Sequence, residues 1–153
     1  MALWRLYYHL VWATKDREPL IDQQREDKLY QYLTGKADSL KCIVHAVNGT
    51  EDHIHVIASI PPVLSIADFV KQIKGGSAHY LNHLGPNNET SFGWQAGYGV
   101  FSMGHKQLEQ AVAYVNNQKL HHAQGSVIPS LEREMNEEEM PEHYQTPLIL
   151  PDG

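Results

Sequence analysis

The stretch from Asn48 to Ile60 constrains the fold more than any other part of the chain. It opens with Asn48-Gly49, a pair that tolerates positive φ and therefore predicts a tight turn. The run that follows has the length of a β-strand, whose successive side chains point to opposite faces. His53 and His55 then share one face. Four apolar residues share the other face, which we expect to be buried: Ile54, Val56, Ala58 and Ile60.

The two histidines of this strand are candidate ligands. Their backbones are about 6.6 Å apart at the usual strand rise, so the rings can converge on one metal ion or one phosphate. Imidazole suits divalent metals, and the neighbouring Asp52 could orient one of the rings. The alternative is two polar residues on a solvated strand face, because a His-x-His triplet alone has a high false-positive rate.

Composition favours one domain with a sizeable core. The chain has 153 residues, of which 42% are hydrophobic. The single cysteine, Cys42, excludes an intramolecular disulfide, and no apolar run reaches membrane-spanning length. The N-terminus lacks the apolar segment of a signal peptide, so we expect a cytoplasmic protein without a membrane partner. We place a single domain over residues 1–125, followed by an acidic, partly irregular tail over 126–153.

Net charge argues against broad electrostatic adhesion to nucleic acid, because the chain has a formal charge of −6. The acidic residues crowd into the tail, however, and this weakens the objection.

The periodicity of the apolar residues predicts seven main elements and an α+β fold. Ser65, with Asp68 three residues later, has the pattern of a helix N-cap. We expect a ferredoxin-like (RRM-like) βαββαβ plan, with an antiparallel sheet, two helices on one face and a further C-terminal helix. The expected strands are 4–14, 41–47, the histidine strand and a bent strand over 92–102; the expected helices are 22–40, one from Ser65 onward, 105–122 and a short one over 129–140.

The helix expected over residues 105–122 contains a second candidate group. Tyr114 and Gln118 lie one helical turn apart, so their side chains should project together. A tyrosine hydroxyl can act as a nucleophile, and a glutamine oxygen can join the coordination shell of a hard cation. The alternative for Tyr114 is a half-buried packing role, which is common for aromatic residues at helical spacing.

Several blocks resemble, in order, one known family. The blocks are Tyr8–Lys15, Asn48-Gly49 with Asp52–His55, residues 65–82, Trp94–Ser102, and Tyr114–Gln118 with His121-His122. Together they are similar to the small single-strand DNA transposases of the HUH superfamily. These have one catalytic tyrosine and are of the insertion-sequence 200/605 type, with REP-associated tyrosine transposases as relatives. The likeness spans about residues 4 to 122.

The resemblance implies a site and a reaction. It implies that His53, His55 and Gln118 bind Mg²⁺ or Mn²⁺ and that Tyr114 attacks a phosphate. The product would be a 5′-phosphotyrosine that is later rejoined. It also implies single-stranded DNA with hairpin ends as substrate, a homodimer, and association with the nucleoid when DNA is bound. Whether Tyr114 serves the site of its own subunit or that of its partner stays open.

Two departures from the family affect DNA binding. The segment after Lys74 lacks the arginines usual in the family, and the C-terminal region is shorter and more acidic. Each remaining basic residue could equally be ordinary surface charge. The candidates for DNA contact are Arg5, Lys15, Arg17, Lys71, Lys74, Lys106 and Lys119.

Two other functions compete with an active strand-transferase. One is a domesticated, non-catalytic relative that keeps the fold and binds DNA. The other is a small metal-dependent hydrolase of ferredoxin-like fold, which would leave Tyr114 and Gln118 without a role.

Overall fold

A four-stranded antiparallel sheet organises the protein, for which a computed structural model describes residues 3–84 and 91–119. The elements in chain order are β1 (Tyr7–Ala13), a 3₁₀ turn (Lys15–Arg17), α1 (Gln23–Ser39), β2 (Ile43–Gly49), β3 (His53–Ser59), α2 (Ile66–Asn82), β4 (Gly99–Met103) and α3 (His105–Asn116). The strand order β2-β3-β1-β4 and the element order confirm the predicted ferredoxin-like α+β fold. The tail over 126–153, the 129–140 helix and His121-His122 lie outside the described residues.

The main core lies between the sheet and the helices α1 and α2, as the alternation of β1 and β3 predicts. Leu10 and Trp12 of β1 face this core, and the apolar side of β3 joins them. The helices contribute buried residues at helical spacing: Leu29, Leu33 and Ala37 from α1, and Phe69, Val70, Ile73 and Leu81 from α2. No helix within residues 3–84 and 91–119 is long and apolar enough to cross a membrane.

A smaller core lies on the opposite face of the sheet, under α3. Ala111 and Val115 of α3 pack against Ala46 and Ile57 of the sheet. Ile57 alternates with the apolar residues of β3 and therefore lies on the same face as His53 and His55. The seventh element thus covers the histidine face.

The turn predicted at Asn48-Gly49 is wrong in position, because it occurs immediately after these residues. Both residues are the last two of β2, where they pair with His55 and Ile54, and the chain turns over residues 50–52. Among the described glycines only Gly97 has a positive φ, so Gly49 does not serve a left-handed turn. A Cβ at Gly49 would overlap the carbonyl oxygen of His53 and lie 2.8 Å from Ile54 Cα. Close approach of two strands is what requires glycine here.

The predicted strand over 92–102 is wrong in its first half, because β4 begins only at Gly99. Gly97 has φ 91° and bends the chain. The carbonyls of Gln95 and Gly97 accept hydrogen bonds from the ammonium of Lys74, at 2.7 and 3.0 Å, so they bind a side chain of α2. A single antiparallel bridge, Thr14 to Trp94, is the strand-like feature that this segment keeps.

The helix α2 begins where its sequence predicts and continues through two glycines. The Ser65 hydroxyl accepts a hydrogen bond from the Asp68 backbone N–H at 3.0 Å, confirming the N-cap. Gly75 has no atom within 4 Å of an added Cβ, whereas a Cβ at Gly76 would overlap the Tyr32 hydroxyl and lie 2.9 Å from its Cζ. The Tyr32 ring stacks on Tyr80 at 5.2 Å, so Gly76 lets α1 and α2 approach closely.

The two adjacent glycines provide a matched pair of substitutions. Gly75→Ala should raise the free energy of unfolding by about 0.5–1 kcal/mol, because alanine loses less backbone entropy in a helix. Gly76→Ala should lower it by roughly 1–3 kcal/mol, because the methyl group displaces the stacked Tyr32 ring. Urea unfolding followed by circular dichroism measures both. Equal effects of the two substitutions would contradict the packing described here.

Candidate active site

The histidine face of β3 is enclosed. His53 is 2% exposed and His55 0% exposed. Their ring centroids lie 5.1 Å apart with the planes at 72°. The predicted pair is therefore brought together as expected from strand alternation, but the alternative of a solvated strand face is wrong.

Asp52 and Thr50 orient the ring of His53. The Nδ1 atom of His53 lies 2.7 Å from Asp52 Oδ1 and 2.9 Å from Thr50 Oγ1. Burial raises the pKa of Asp52, but hydrogen bonding by His53, the charge of Arg17 and a hydrogen bond from Thr50 outweigh it and hold that pKa below its usual value. Asp52 is thus ionised and can only accept, so Nδ1 of His53 donates the hydrogen bond between them.

A third imidazole, from β1, orients the ring of His55. Nε2 of His9 lies 2.8 Å from Nδ1 of His55, and the two rings meet edge to edge, with centroids 5.0 Å apart and planes at 29°. His9 is 1% exposed. It pairs across the ladder with Ile57, which makes His55 its diagonal neighbour on the same face.

Hydrogen bonds link the last two residues of β2 to the end of α3. The Asn48 amide Nδ2 donates to the carbonyl of Asn116 at 3.1 Å, while Asn48 Oδ1 accepts from the Lys119 ammonium at 2.7 Å. Lys119 also donates to the Gly49 carbonyl at 3.0 Å and pairs with Glu26 of α1 at 2.7 Å. Because Asn48 pairs with His55, these bonds hold the end of α3 at the level of the histidines.

Tyr114 and Gln118 are both buried near this tied end, at 3% and 0% exposure. The prediction of one helix over 105–122 is wrong in detail, since α3 ends at Asn116 and helical backbone resumes at Gln118 after a turn at Asn117. The Asn117 backbone N–H closes the helix on the carbonyls of Ala113 and Tyr114, each at 3.2 Å. Beside this turn, the carbonyl of Asn116 accepts a hydrogen bond from the Asn48 amide.

A cavity of about 690 Å³ lies beside His53 and opens to the surface. Arg17 is at its edge, with Nη2 3.6 Å from Asp52 Oδ1 and a side chain that is 43% exposed. Asp16 and Arg17 have φ values of 56° and 55°, a left-handed turn that is costly for residues other than glycine. The described residues that line the cavity are Arg17, Ile21, Asp22, Gln23, Glu26, Thr50, Glu51, Asp52, His53 and Lys119.

The basic residues predicted to contact DNA fall into two groups. Lys74 is buried and binds two carbonyls, so we remove it from the candidates. Lys119 is half-exposed, but its ammonium is engaged by Glu26, Asn48 and Gly49. Five others are exposed and stay candidates: Arg5, Lys15, Arg17, Lys71 and Lys106.

The donor set for a metal depends on an amide. Within residues 3–84 and 91–119, no group of three or more His, Cys, Asp or Glu side chains is arranged to hold a metal ion. His53 and His55 supply two nitrogen donors on one face, and the third predicted ligand, Gln118, is of another residue type.

Sequence reasoning missed the two residues that fix this geometry. His9 is a polar residue within a predicted strand, which is a signal, but the sequence does not show which residue it faces on the neighbouring strand. Asn48 is predicted to be a turn residue, whereas its side chain links β2 to the end of α3. Neither contact can be found without strand register.

Comparison with known proteins connects this arrangement to one family. The model of the family described as "Transposase IS200 like" matches residues 2–118. The ISDra2 transposase TnpA of Deinococcus radiodurans is 28% identical over 120 residues, covering 76% of this chain and 86% of that protein. The transposase for insertion sequence element IS200 of Salmonella typhimurium is 24% identical over 119 residues, covering 75% and 78%.

Two solved structures share the fold. A crystal structure of a putative transposase from Deinococcus radiodurans superposes with a TM-score of 0.63 at 28% identity, covering 76% of this chain and 93% of that chain. A REP-associated tyrosine transposase bound to a REP hairpin superposes with a TM-score of 0.60 at 14% identity, covering 80% and 74%.

Gly49 offers a test of the close strand approach at this site. Gly49→Ala should lower the free energy of unfolding by about 1–3 kcal/mol, because the methyl group cannot fit against the backbone of His53 and Ile54. Urea unfolding is the measurement. Gly35→Ala is the control, since a Cβ there has nothing within 4 Å. An unchanged stability of Gly49→Ala would contradict the packing.

Proposed function

Because this chain belongs to the family of IS200-like transposases, we propose that it cuts and rejoins single-stranded DNA through a covalent bond to Tyr114. Mg²⁺ or Mn²⁺ would be held by His53, His55 and Gln118. The observation that supports this most strongly is the position of α3. Ala111 and Val115 pack on Ile57, and the end of the helix is tied to the strand that pairs with His55.

The chemistry of the donor atoms fits a divalent cation. In His53, Asp52 occupies Nδ1 and leaves Nε2 as the coordinating atom. In His55, Nδ1 is likewise engaged, by His9, so Nε2 is again the atom that can bind. Imidazole nitrogens suit divalent transition metals, and an amide oxygen suits Mn²⁺ or Mg²⁺, so the mixed set would hold such a cation together with oxygen atoms of the bound phosphate. When bound, the cation would offset negative charge that develops on the scissile phosphate.

Tyr114 supplies the nucleophile in this proposal. Its hydroxyl oxygen forms a bond to phosphorus, the bond from phosphorus to the 3′ oxygen breaks, and the phenolic proton ends on the leaving 3′ oxygen. The products are a 5′-phosphotyrosine and a 3′-hydroxyl. Because one ester replaces another, the reverse reaction rejoins a strand without ATP. Since Tyr114 is 3% exposed, the phosphate reaches it only after the side chains that cover it have moved.

The DNA strand would approach through the cavity beside His53. Arg17 is an exposed cation 3.6 Å from the Asp52 carboxylate that bonds to His53, and its left-handed turn holds it at the cavity edge. Backbone strain of this kind persists where the surroundings enforce it, and it is frequent at functional sites. We propose phosphate contacts by Arg17 and Lys15 at this edge. Three exposed residues further away would contact flanking nucleotides: Arg5, Lys71 and Lys106.

The form of the DNA and the assembly are also proposed. One solved neighbour of the same fold is bound to a REP hairpin, which supports hairpin-forming single strands as the substrate class of this chain. We further propose that the acting form is a homodimer. In the single chain, α3 already lies over the histidine face of its own sheet, so the arrangement of one subunit supports a site that uses its own tyrosine.

The test of this function is the covalent adduct. Wild-type protein incubated with Mn²⁺ and a labelled single strand from the DNA flanking its gene should give a band of protein linked to DNA on a denaturing gel. Duplex DNA of the same sequence, or addition of EDTA, should give none. Tyr114→Phe should reduce the adduct to background while leaving strand binding intact, because it removes only the hydroxyl.

Tyr98→Phe is the matched control and should form the adduct as the wild type does. An adduct that persists in Tyr114→Phe would refute the nucleophile. A wild-type protein that binds the strand but forms no adduct would instead favour the non-catalytic DNA-binding relative.

A further inference from the structure

The two candidate ligands of β3 are oriented by partners of different chemistry. His53 is bonded to an ionised carboxylate, which can only accept a hydrogen bond. His55 is bonded to the imidazole of His9, and a neutral imidazole can either donate or accept. Asp52 therefore fixes a proton on Nδ1 of His53, which Thr50 Oγ1 also approaches at 2.9 Å, whereas the proton of His55 depends on how His9 is used.

Only one of the two arrangements leaves His55 able to bind a cation. If His9 Nε2–H donated to Nδ1 of His55, the neutral His55 ring would have its proton on Nε2 and no lone pair there. If His55 Nδ1–H donates to Nε2 of His9, the lone pair of His55 lies on Nε2. Nδ1 itself is engaged by His9 at 2.8 Å in both cases and cannot serve as the ligand atom.

We infer that His9 is a positioning residue that accepts the Nδ1–H of His55 and so directs the Nε2 lone pair of His55 toward the site. This rests on the proposed function for its consequence, while the hydrogen bond itself is independent of it. Both rings are buried, with His9 1% and His55 0% exposed, so solvent does not exchange one arrangement for the other freely. The small angle between the ring planes, 29°, suits a hydrogen bond that lies in the plane of both rings.

Substitution can separate this role from packing. His9→Phe keeps an aromatic ring at this position and removes the acceptor, so Mn²⁺ affinity measured by calorimetry should fall by about 10- to 100-fold, the usual cost of losing a partner that orients a metal ligand. His9→Gln should restore most of the affinity, because its amide oxygen can accept from Nδ1–H. His45→Phe is the matched control: His45 is a half-buried imidazole bonded to Ser59 at 2.8 Å, and its loss should leave affinity unchanged.

The decisive readout is the position of the proton on His55 in metal-free protein. Long-range ¹H–¹⁵N correlation spectra of protein labelled at histidine should show Nδ1 of His55 protonated in the wild type and in His9→Gln. In His9→Phe the proton should shift to Nε2. The His55 resonances are identified by their loss in His55→Gln.

Three results overturn the inference: a wild-type His55 protonated on Nε2, a His9→Phe variant that keeps its proton on Nδ1, or a His9→Phe variant with wild-type Mn²⁺ affinity. A wild type that binds no Mn²⁺ but has His55 protonated on Nδ1 contradicts the metal assignment and supports the role of His9. If His9→Phe does not fold, the spectra of the wild type and of His9→Gln still decide.

Discussion

The hydrogen bonds of Asn48 are the interaction on which the site depends. Through its amide it binds the end of α3 at Asn116, and through its oxygen it binds Lys119, while its backbone belongs to the strand that pairs with His55. Besides this connection, α3 is held to the sheet by an apolar contact around Ile57 and by the Tyr7 hydroxyl, which lies 3.2 Å from Nδ1 of His105. The polar bonds set how far along the sheet the helix extends.

Features of the fold that depend on neighbouring residues can be predicted from the sequence. Element order, the apolar face of β3 and the Ser65 cap follow from local periodicity and local hydrogen bonding, and the structure confirms them. The turn at Asn48-Gly49, the strand before Gly99 and the end of α3 were wrong. In each case a contact from a distant element overrides the local preference: the backbone of β3 at Gly49, the Lys74 ammonium at Gln95, and the Asn48 amide at Asn116.

In the candidate site, too, local features can be predicted from the sequence and long-range contacts cannot. The pairing of His53 with His55 on one face is a property of any strand, so the sequence predicts it, and the contact of Asp52 with His53 follows from adjacency. His9 approaches His55 only because β1 and β3 pair in one particular antiparallel register. Lys74 illustrates the converse, since a lysine of an amphipathic helix is expected at the surface and here lies buried against a loop.

We propose that β3 and the end of α3 form one metal site. The anomalous scattering of Mn²⁺ in crystals of the protein tests this most directly. We expect one strong anomalous peak within coordination distance of His53 Nε2, His55 Nε2 and Gln118 Oε1. This peak should be lost in a His53→Ala, His55→Ala double variant. His79 and His83, near the end of α2, are a second pair of histidines for comparison. Both are exposed, and their ring centroids lie 4.1 Å apart. A peak at that pair or at surface carboxylates, with none at His53 and His55, would contradict the account.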